Sequence, residues 1–567
     1  MDAPPLHANL IPVARGTEPA DLVLKNAMLF DAFSCSWEEG DLAIKDGIIV
    51  GTGRSYRGIR ERDLGGALVV PGLIDAHVHI ESSLLVPQEY AHLVAAHGTT
   101  TVIADPHEIA NIAGKEGIEY MLACRAGLPV DILYMLPSCV PATPADVGGA
   151  VLDAGDLAGF PGRDGILGLG EMMNVPGVLG GDPGVLAKLV LSRIRDGHAP
   201  HLSGPDLNAY LLSGPDSDHE CTTASEAKEK LRCGMYLFVR EGSTEKNIAA
   251  LVPVVTPYTV SRCSFCTDDC HADLLAHSGH IDRCIRTAVA GGLEPELALR
   301  MATLSPAERF SLPDRGALAP GRRADFCIVD DPRHFAVKET YSRGRPVAEY
   351  AAPQARPPVF AALRCTVPSR DQIRLFGTGR ARVIGLVPGQ ILTESLTFDL
   401  DAAALPDISR DLLKLVVCNR YGKGSVGTGI VHGFGFKDGA IAASISHDAH
   451  NIVAAGTGDE VILSALTAVI RAGGGMAAVH KKDVTVLPLD CAGLMSTHPA
   501  REVIAGLDAL SAATRRIGGI DDPFMYLSFL ALTVIPALRI TDRGLFDAVA
   551  FRDVPVFGDG ETLRKTG

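Results

Sequence analysis

The chain has 567 residues, a formal net charge of −15 and an apolar fraction of 47%. Its length predicts several domains with large cores, and its acidic charge argues against nonspecific binding to nucleic acids. No apolar run reaches the ~18 residues that a bilayer crossing needs, and the N-terminal residues lack the order of a signal peptide. The thirteen cysteines are scattered through apolar segments, so we expect reduced thiols in a cytoplasmic protein that enters no membrane.

Short alternating apolar runs near the N-terminus predict the strands of a small antiparallel sheet, because turn residues separate them. The runs are Leu22–Leu24, Asp41–Ile44 and Gly47–Gly51. A similar pattern returns over residues 317–348. We therefore predict one small β domain built from residues 1–70 and 313–350, with a long insertion between its two parts.

Two histidines end the first predicted strand of this insertion. The apolar run before His77 predicts a buried strand. Side chains two residues apart in a strand point to the same face, so the imidazoles of His77 and His79 converge. Two converging histidines at the carboxyl end of a buried strand form half of a metal site, although a hydrogen-bonded histidine pair has the same spacing.

Residues 71–312 alternate strand-like and helix-like segments. This size and alternation predict a TIM-like (β/α)8 barrel, whose chemistry lies at the carboxyl ends of its strands. A doubly wound parallel sheet is the alternative, but no glycine-rich phosphate fingerprint follows the first strand. The other candidate strands are Thr100–Ala104, Asp131–Met135, Ile166–Gly170, Met235–Arg240 and Val260–Thr267.

Polar residues that can bind metals follow several of these strands. Each alone is more often a cap or a loop residue, but their recurrence at successive strand ends favours a metal centre. Imidazole and carboxylate ligands suit Zn, Mn or Fe, and the sequence does not choose among them. The residues are Asp105, His107 and Glu108, then Glu171, His198 and His201, then His219 and Glu220, and last Asp268 and Asp269.

A cysteine cluster near residue 266 has the superficial spacing of a zinc knuckle. It consists of Cys263, Cys266, Cys270 and His271. No second paired cluster accompanies it in the sequence, and its first two cysteines lie in an apolar, strand-like run. We therefore interpret these cysteines as buried thiols.

The rest of the chain predicts a linker and a further domain. Residues 351–370 are rich in Pro, Ala and Arg, and residues 371–567 predict a C-terminal α/β domain with a long helix around 458–472. The glycines of residues 422–429 do not match the spacing of a phosphate-binding loop, so we interpret them as turns. His447, Asp448, His450 and Asn451 could form another metal site, but we favour a hydrogen-bonded loop that closes over the barrel mouth.

Several stretches together resemble the amidohydrolase superfamily and, more narrowly, the bacterial adenine deaminase family. The resemblance covers nearly the whole chain. His-X-His alone would indicate only the superfamily, whereas Glu-Ser-Ser, Asp-Pro-His-Glu and Gly-Glu-Met-Met indicate the narrower family. The stretches are residues 75–83, 104–111, 168–174, 207–210, 266–269 and 444–451.

The resemblance implies a centre with two divalent metal ions, Mn or Fe, with Zn as a further possibility. Glu171 would bridge the two ions, at the position where many relatives carry a carboxylated lysine. His198 is preferred over His201 because it follows Asp-Gly. The implied ligands are His77, His79 and Asp268 for one ion, and His198 and His219 for the other.

The same resemblance implies hydrolytic deamination of adenine to hypoxanthine and ammonia by a hydroxide that bridges the two metals. Asp268 would carry the proton to the departing ammonia. Glu220 is the first candidate for protonating the purine ring, with Asp105 and His107 as others. Ser82, Asp105, His107 and Asp269 are the expected substrate-binding residues. The expected partner is the small-molecule substrate adenine, and we expect the protein to form a homo-oligomer.

Two other functions remain open from the sequence. One is an amidohydrolase that acts on a different purine or a cyclic amide; Glu171 in place of lysine weighs against the cyclic amide. The other is a non-catalytic scaffold, but such proteins usually lose ligands and this chain keeps all six. Cys270 and His271 depart from the family pattern, in which an Arg and another residue are common, and this departure concerns only substrate-loop details.

Overall fold

The structure, a computed structural model, describes residues 7–54, 56–357, 360 and 363–558. Within these residues, no helix combines the length and the apolarity that a bilayer crossing requires. A short helix, α1 (Ile11–Ala14), precedes the first sheet. The first five strands are β1 (Ala20–Asp31), β2 (Ser36–Lys45), β3 (Ile48–Thr52), β4 (Gly58–Asp63) and β5 (Leu68–Pro71).

Eight further strands follow, and each pairs in parallel with its neighbours. They form two curled sheets, one of five strands in the order β10-β9-β8-β7-β6 and one of three in the order β11-β12-β13. The strands are β6 (Leu73–Val78), β7 (Thr99–Ala104), β8 (Asp131–Leu136), β9 (Ile166–Met172), β10 (Arg195–Gly197), β11 (Ser217–Asp218), β12 (Tyr236–Arg240) and β13 (Cys263–Cys266).

Helices of varied length lie between and after these strands. They are α2 (Pro87–Ala95), α3 (His107–Ala123), α4 (Ala154–Leu157), α5 (Val175–Leu179), α6 (Pro183–Leu189), α7 (Gly204–Ser213), α8 (Ala224–Arg232), α9 (Ile248–Leu251), α10 (Ala272–Ser278), α11 (Ile281–Ala290), α12 (Pro295–Met301) and α13 (Leu304–Arg309). The predicted parallel α/β architecture is thus confirmed in its coarse form. The two sheets meet at both ends: Val78 and Asp268 form an isolated parallel bridge at one seam, and Gly197 N donates to Ser217 Oγ at 3.2 Å at the other.

Three later strands return to the first sheet: β14 (Phe326–Val329), β15 (Val337–Ser342) and β16 (Arg345–Pro346). The sheet has the order β16-β15-β14-β5-β1-β2-β3, with β4 paired to β1. Strand β14 runs antiparallel to β5 and so joins the two distant parts of the chain.

A buried ion-pair cluster fastens this sheet to the parallel strands. Asp131, at the start of β8, accepts hydrogen bonds from Arg315 and Arg323, both at 2.7 Å from its Oδ2. Burial acts to raise the pKa of Asp131, but the two guanidinium groups outweigh it and hold that pKa well below its usual range. The carboxylate is therefore the common counter-charge of two cations from the returning segment.

Replacing Asp131 by asparagine is expected to destabilise the protein by about 3 kcal/mol, because two buried guanidinium groups lose their shared counter-charge. The measurement is the midpoint of thermal unfolding, which should fall by several degrees. Asp164→Asn is the matched control, since its carboxylate also pairs with an arginine but is fully exposed. Equal midpoints for the two variants would contradict the importance of this cluster.

The C-terminal strands form an eight-stranded sheet in the order β18-β17-β20-β19-β22-β21-β23-β24 and a separate sheet of three strands. The strands of the large sheet are β17 (Thr378–Leu386), β18 (Thr393–Asp401), β19 (Leu412–Cys418), β20 (Val426–His432), β21 (Ala440–Ala443), β22 (Ile452–Gly456), β23 (Gly475–His480) and β24 (Asp483–Pro488). The helices are α14 (Asp459–Arg471), α15 (Ala500–Ile517) and α16 (Pro523–Phe529), and the small sheet has β25 (Leu538–Thr541), β26 (Gly544–Asp547) and β27 (Arg552–Asp553).

Alternation along β23 shows how this sheet is covered on both faces. Ala477 and Val479 belong to the apolar cluster that contains α14, whereas Met476 and Ala478 belong to the cluster that contains α15. The second cluster continues without a break into α2 and α3. The C-terminal domain is thus packed on the parallel strands through a shared core.

Candidate metal centre

The carboxyl ends of the parallel strands bring two imidazoles together. His77 lies in β6, one residue before the strand ends, and His79 follows that strand directly. Their Nε2 atoms lie 3.2 Å apart, and both side chains are buried. His79 Nδ1 lies 3.0 Å from the carbonyl oxygen of Asp105 and can only donate to it, which leaves the Nε2 lone pair free to bind a cation.

Asp75 fixes the strand that carries these histidines. Its Oδ1 accepts the backbone N–H of His77 and of Thr267, both at 3.2 Å. Its Oδ2 accepts the Thr267 hydroxyl at 2.5 Å and lies 2.9 Å from His280 Nε2. Asp75 therefore ties β6 to β13 beneath the centre.

Two carboxylates face the histidine pair. Asp268, just after β13, has its Oδ1 3.1 Å from His79 Nε2, and Glu171 in β9 has its Oε1 3.2 Å from the same atom. The backbone of Asp268 has φ 54°, in the left-handed region that non-glycine residues rarely adopt. Such strain concentrates at functional sites.

Two more imidazoles lie on the other side of Glu171. Glu171 Oε2 is 2.8 Å from His198 Nδ1 and 3.3 Å from His219 Nε2. The two oxygens of one carboxylate thus face two different histidine pairs. His201, the alternative that the sequence offered to His198, is exposed and lies near Glu226 instead.

The donor set fits divalent cations. Ring nitrogens that face one another at 3.2 Å, with carboxylate oxygens at the same distance, are the arrangement of ligands around a shared cation. The ligand atoms group into buried triads such as His77, His79 and Glu171 or Glu171, His198 and His219. Burial acts to lower the pKa of His219, but Glu171 outweighs it and raises that pKa to about 9.

Arg240 is a site residue that the sequence did not indicate, although it ends a predicted strand. Its Nη1 donates to Asp268 Oδ2 and to Glu220 Oε1, both at 2.5 Å, and its Nη2 donates to Glu220 Oε2 at 3.0 Å. Burial acts to raise the pKa of Glu220, but Arg240 outweighs it and lowers that pKa. Both carboxylates are therefore held in their ionised form.

A small pocket opens in front of the centre. Among the expected substrate-binding residues, His107 and Asp269 line it. Its far wall comes from the C-terminal domain, through Ile391, His447, Asp448, Phe529, Leu532 and Ile535.

Asp105 and Ser82 lie behind the cavity wall. Asp105 Oδ2 accepts the backbone N–H of Glu171 at 3.0 Å. A Cβ at Gly170 would lie 1.9 Å from that oxygen, so glycine is required there for this support of Glu171. Ser82 donates to Asp269. Both side chains position other residues of the site.

The loop at residues 444–451 reaches the site as a hydrogen-bonded loop. His450 Nδ1 accepts the backbone N–H of Ser446 at 3.2 Å, so the proton of this neutral imidazole is on Nε2, which donates to Glu108. His447 also pairs with Glu108 through Nδ1. Glu108 thus attaches the C-terminal domain to the mouth of the site. Glu108 and His447 are 339 positions apart in the sequence.

The arrangement is that of a metal-dependent hydrolase, and comparison with known proteins agrees. The model of the amidohydrolase family matches residues 68–178 and 196–347, and that of the adenine deaminase C-terminal domain matches residues 390–552.

Curated relatives match over nearly their whole length. A protein of Methanoculleus marisnigri named adenine deaminase is 61% identical, over 91% of this chain and 99% of its own. Proteins of the same name from Desulfatibacillum aliphaticivorans and Geobacillus kaustophilus are 45% and 43% identical, each over 97% of this chain and 99% of their own. The chain belongs to the adenine deaminase family.

Proposed function

We propose that this chain catalyses the hydrolytic deamination of adenine to hypoxanthine and ammonia. The observation that carries the proposal is the buried centre of four imidazoles and two carboxylates that opens onto a small cavity. The name shared by relatives that are 43–61% identical supplies the substrate.

The six residues would hold two divalent cations. His77, His79 and Asp268 would bind one, His198 and His219 would bind the other, and Glu171 would be shared. We propose Mn or Fe, with Zn as the alternative, because imidazole and carboxylate ligands suit all three. The chemistry that bound divalent cations supply is a water whose pKa falls towards neutrality, which makes it a nucleophile.

Asp268 is the residue that we propose to move the proton. It would take the proton from the attacking water and deliver it to the departing amino group. Arg240, at 2.5 Å from its Oδ2, favours the ionised form of Asp268 that can accept a proton. The balance is one water and one adenine consumed, with one hypoxanthine and one ammonia released.

A second group is needed to protonate the ring nitrogen beside the attacked carbon. Glu220 was the first candidate from the sequence, but its bidentate pairing with Arg240 makes it a poor proton donor. His107, the other candidate that lines the cavity, has its Nε2 3.3 Å from Glu108. Burial acts to lower the pKa of His107, but Glu108 leads the effects that raise it well above its usual value, so we favour His107 as the donor.

An ammonia-release assay on a panel of purines and cyclic amides tests the function. Protein of known metal content should release ammonia from adenine faster than from any other member. Ring opening of a hydantoin-like amide without ammonia release from adenine would instead support the alternative hydrolase.

The cavity should reject a nucleotide. Several carboxyl side chains line it, and Arg240 is the one lysine or arginine among the described lining residues. Since Arg240 is already paired with Glu220 and Asp268, no free guanidinium or ammonium group among these residues would pair with a phosphate. We expect kcat/KM for adenosine monophosphate to be at least about a hundredfold below that for adenine. Equal values would refute this interpretation of the pocket.

We infer that the two parallel sheets close as one eight-stranded (β/α)8 barrel, which the contacts at both seams support. The thirteen free cysteines support a reducing, cytoplasmic environment. The homo-oligomeric state stays a prediction from the sequence.

A further inference from the structure

Asp448 is a buried carboxyl group of the C-terminal domain with no complete set of partners. It lines the cavity, and its side chain is 3% exposed. Its Oδ2 has no hydrogen-bond partner among the described residues. Burial is the main cause that raises the pKa of Asp448 to about 7, because His107 offsets only part of it. A buried carboxyl oxygen left without a partner is costly unless a ligand supplies one.

The two histidines that flank Asp448 in the same loop do not share this property. His447 and His450 are both paired with Glu108 and serve to attach the loop. Asp448 therefore reaches the cavity from a loop that is fixed on either side of it. A rigidly held polar group is suited to recognise a ligand.

One imidazole ring separates Asp448 from the metal centre. His107 Nδ1 lies 3.5 Å from Glu171 Oε1, and His107 Nε2 lies 3.8 Å from Asp448 Oδ1. A purine that presents its amino-bearing carbon to Glu171 and Asp268 has its five-membered ring farther from the centre. That ring would lie on the Asp448 side, among apolar side chains of the C-terminal domain.

We propose that Asp448 accepts the N–H of the five-membered ring of the purine and thereby selects the free base over purines substituted at N9. This inference rests on the proposed function. A free six-aminopurine carries one N–H on that ring, and a carboxylate oxygen is an acceptor for it. A substituent on N9 removes that donor and also places bulk against Asp448. An N9-substituted purine would therefore lose the hydrogen bond and clash with the carboxyl group.

The test compares adenine with 9-methyladenine on the metal-loaded enzyme. The variants are Asp448→Ala and the isosteric Asp448→Asn, which keeps an acceptor oxygen and the volume of the side chain. Asp542→Asn is the matched control, because Asp542 is also buried in the C-terminal domain but accepts from Asn419 and Ser425 away from the cavity. The measured quantities are kcat/KM for adenine and the inhibition constant of 9-methyladenine.

We expect Asp448→Ala to lower kcat/KM for adenine by about 10- to 100-fold, while 9-methyladenine binds as well as to the parent or better. Asp448→Asn should lose less activity on adenine and carries the test if the alanine variant does not fold. Asp542→Asn should change neither quantity.

Two outcomes overturn the inference. If both ligands weaken by the same factor, or neither changes, in Asp448→Ala and Asp448→Asn, Asp448 does not contact the ring N–H. A parent enzyme that releases no ammonia from adenine refutes the proposed function, and this inference with it. A parent that is active on adenine separates the two cases.

Discussion

Asp268→Asn is expected to lower kcat for adenine by about three orders of magnitude, because general acid–base catalysis by one positioned group contributes ~10²–10⁴-fold. Asparagine keeps an oxygen that can face His77 and His79, so the variant should still bind at least one metal equivalent. It cannot take a proton from water. Asp268 Oδ2 also accepts from Arg240, and this pairing is weakened when the charge is removed.

Steady-state kinetics and elemental analysis of the same preparation check this result. Asp146→Asn is a suitable control, since Asp146 is a buried carboxyl group that accepts from Thr143 and Thr533 away from the centre. Turnover of adenine by Asp268→Asn at the rate of the parent would show that another group carries the proton.

Removal of metal is expected to lower activity below about 1% of the starting value, because water without a divalent cation has a pKa near ~15.7 and is a poor nucleophile. Mn or Fe added back should restore activity. Since the ligand atoms converge only in the folded chain, the same addition should raise the midpoint of thermal unfolding.

The midpoint of thermal unfolding tests metal binding independently of turnover. His198→Ala should reduce the metal-induced rise of the midpoint, whereas His201→Ala should not, because His201 is exposed near Glu226. Full activity in a preparation that elemental analysis shows to be free of metal would rule out metal dependence.

The sequence predicted those parts of the fold that leave a regular pattern. Strands β7, β8 and β9 lie within one or two residues of their predicted bounds, because each contains an apolar segment that is bounded by turn residues. Strands β10 and β11 have only three and two residues, too few to show a period, and their bounds were not predicted. Residues Val260–Arg262, predicted as strand, form a 3-10 turn before β13.

The site was predictable where its residues follow strands and have the chemistry of metal ligands. Arg240 also ends a strand, but a search for ligand types passes over arginine, and only the pairing with Glu220 and Asp268 reveals its role. The sequence favoured a hydrogen-bonded loop around Asp448 that covers the site, but it did not indicate which side chain of the loop faces the cavity, because that depends on the pairing of His447 and His450 with the distant Glu108. Local patterns thus indicate the centre, and tertiary packing determines what faces it.

The attachment of Glu108 to His447 and His450 has a consequence for how the protein is made. A nascent chain that has completed the parallel strands already carries every proposed metal ligand, yet its reaction chamber still lacks a wall. The later domain supplies that wall, so the metal ligands and the far side of the cavity are synthesised in two steps.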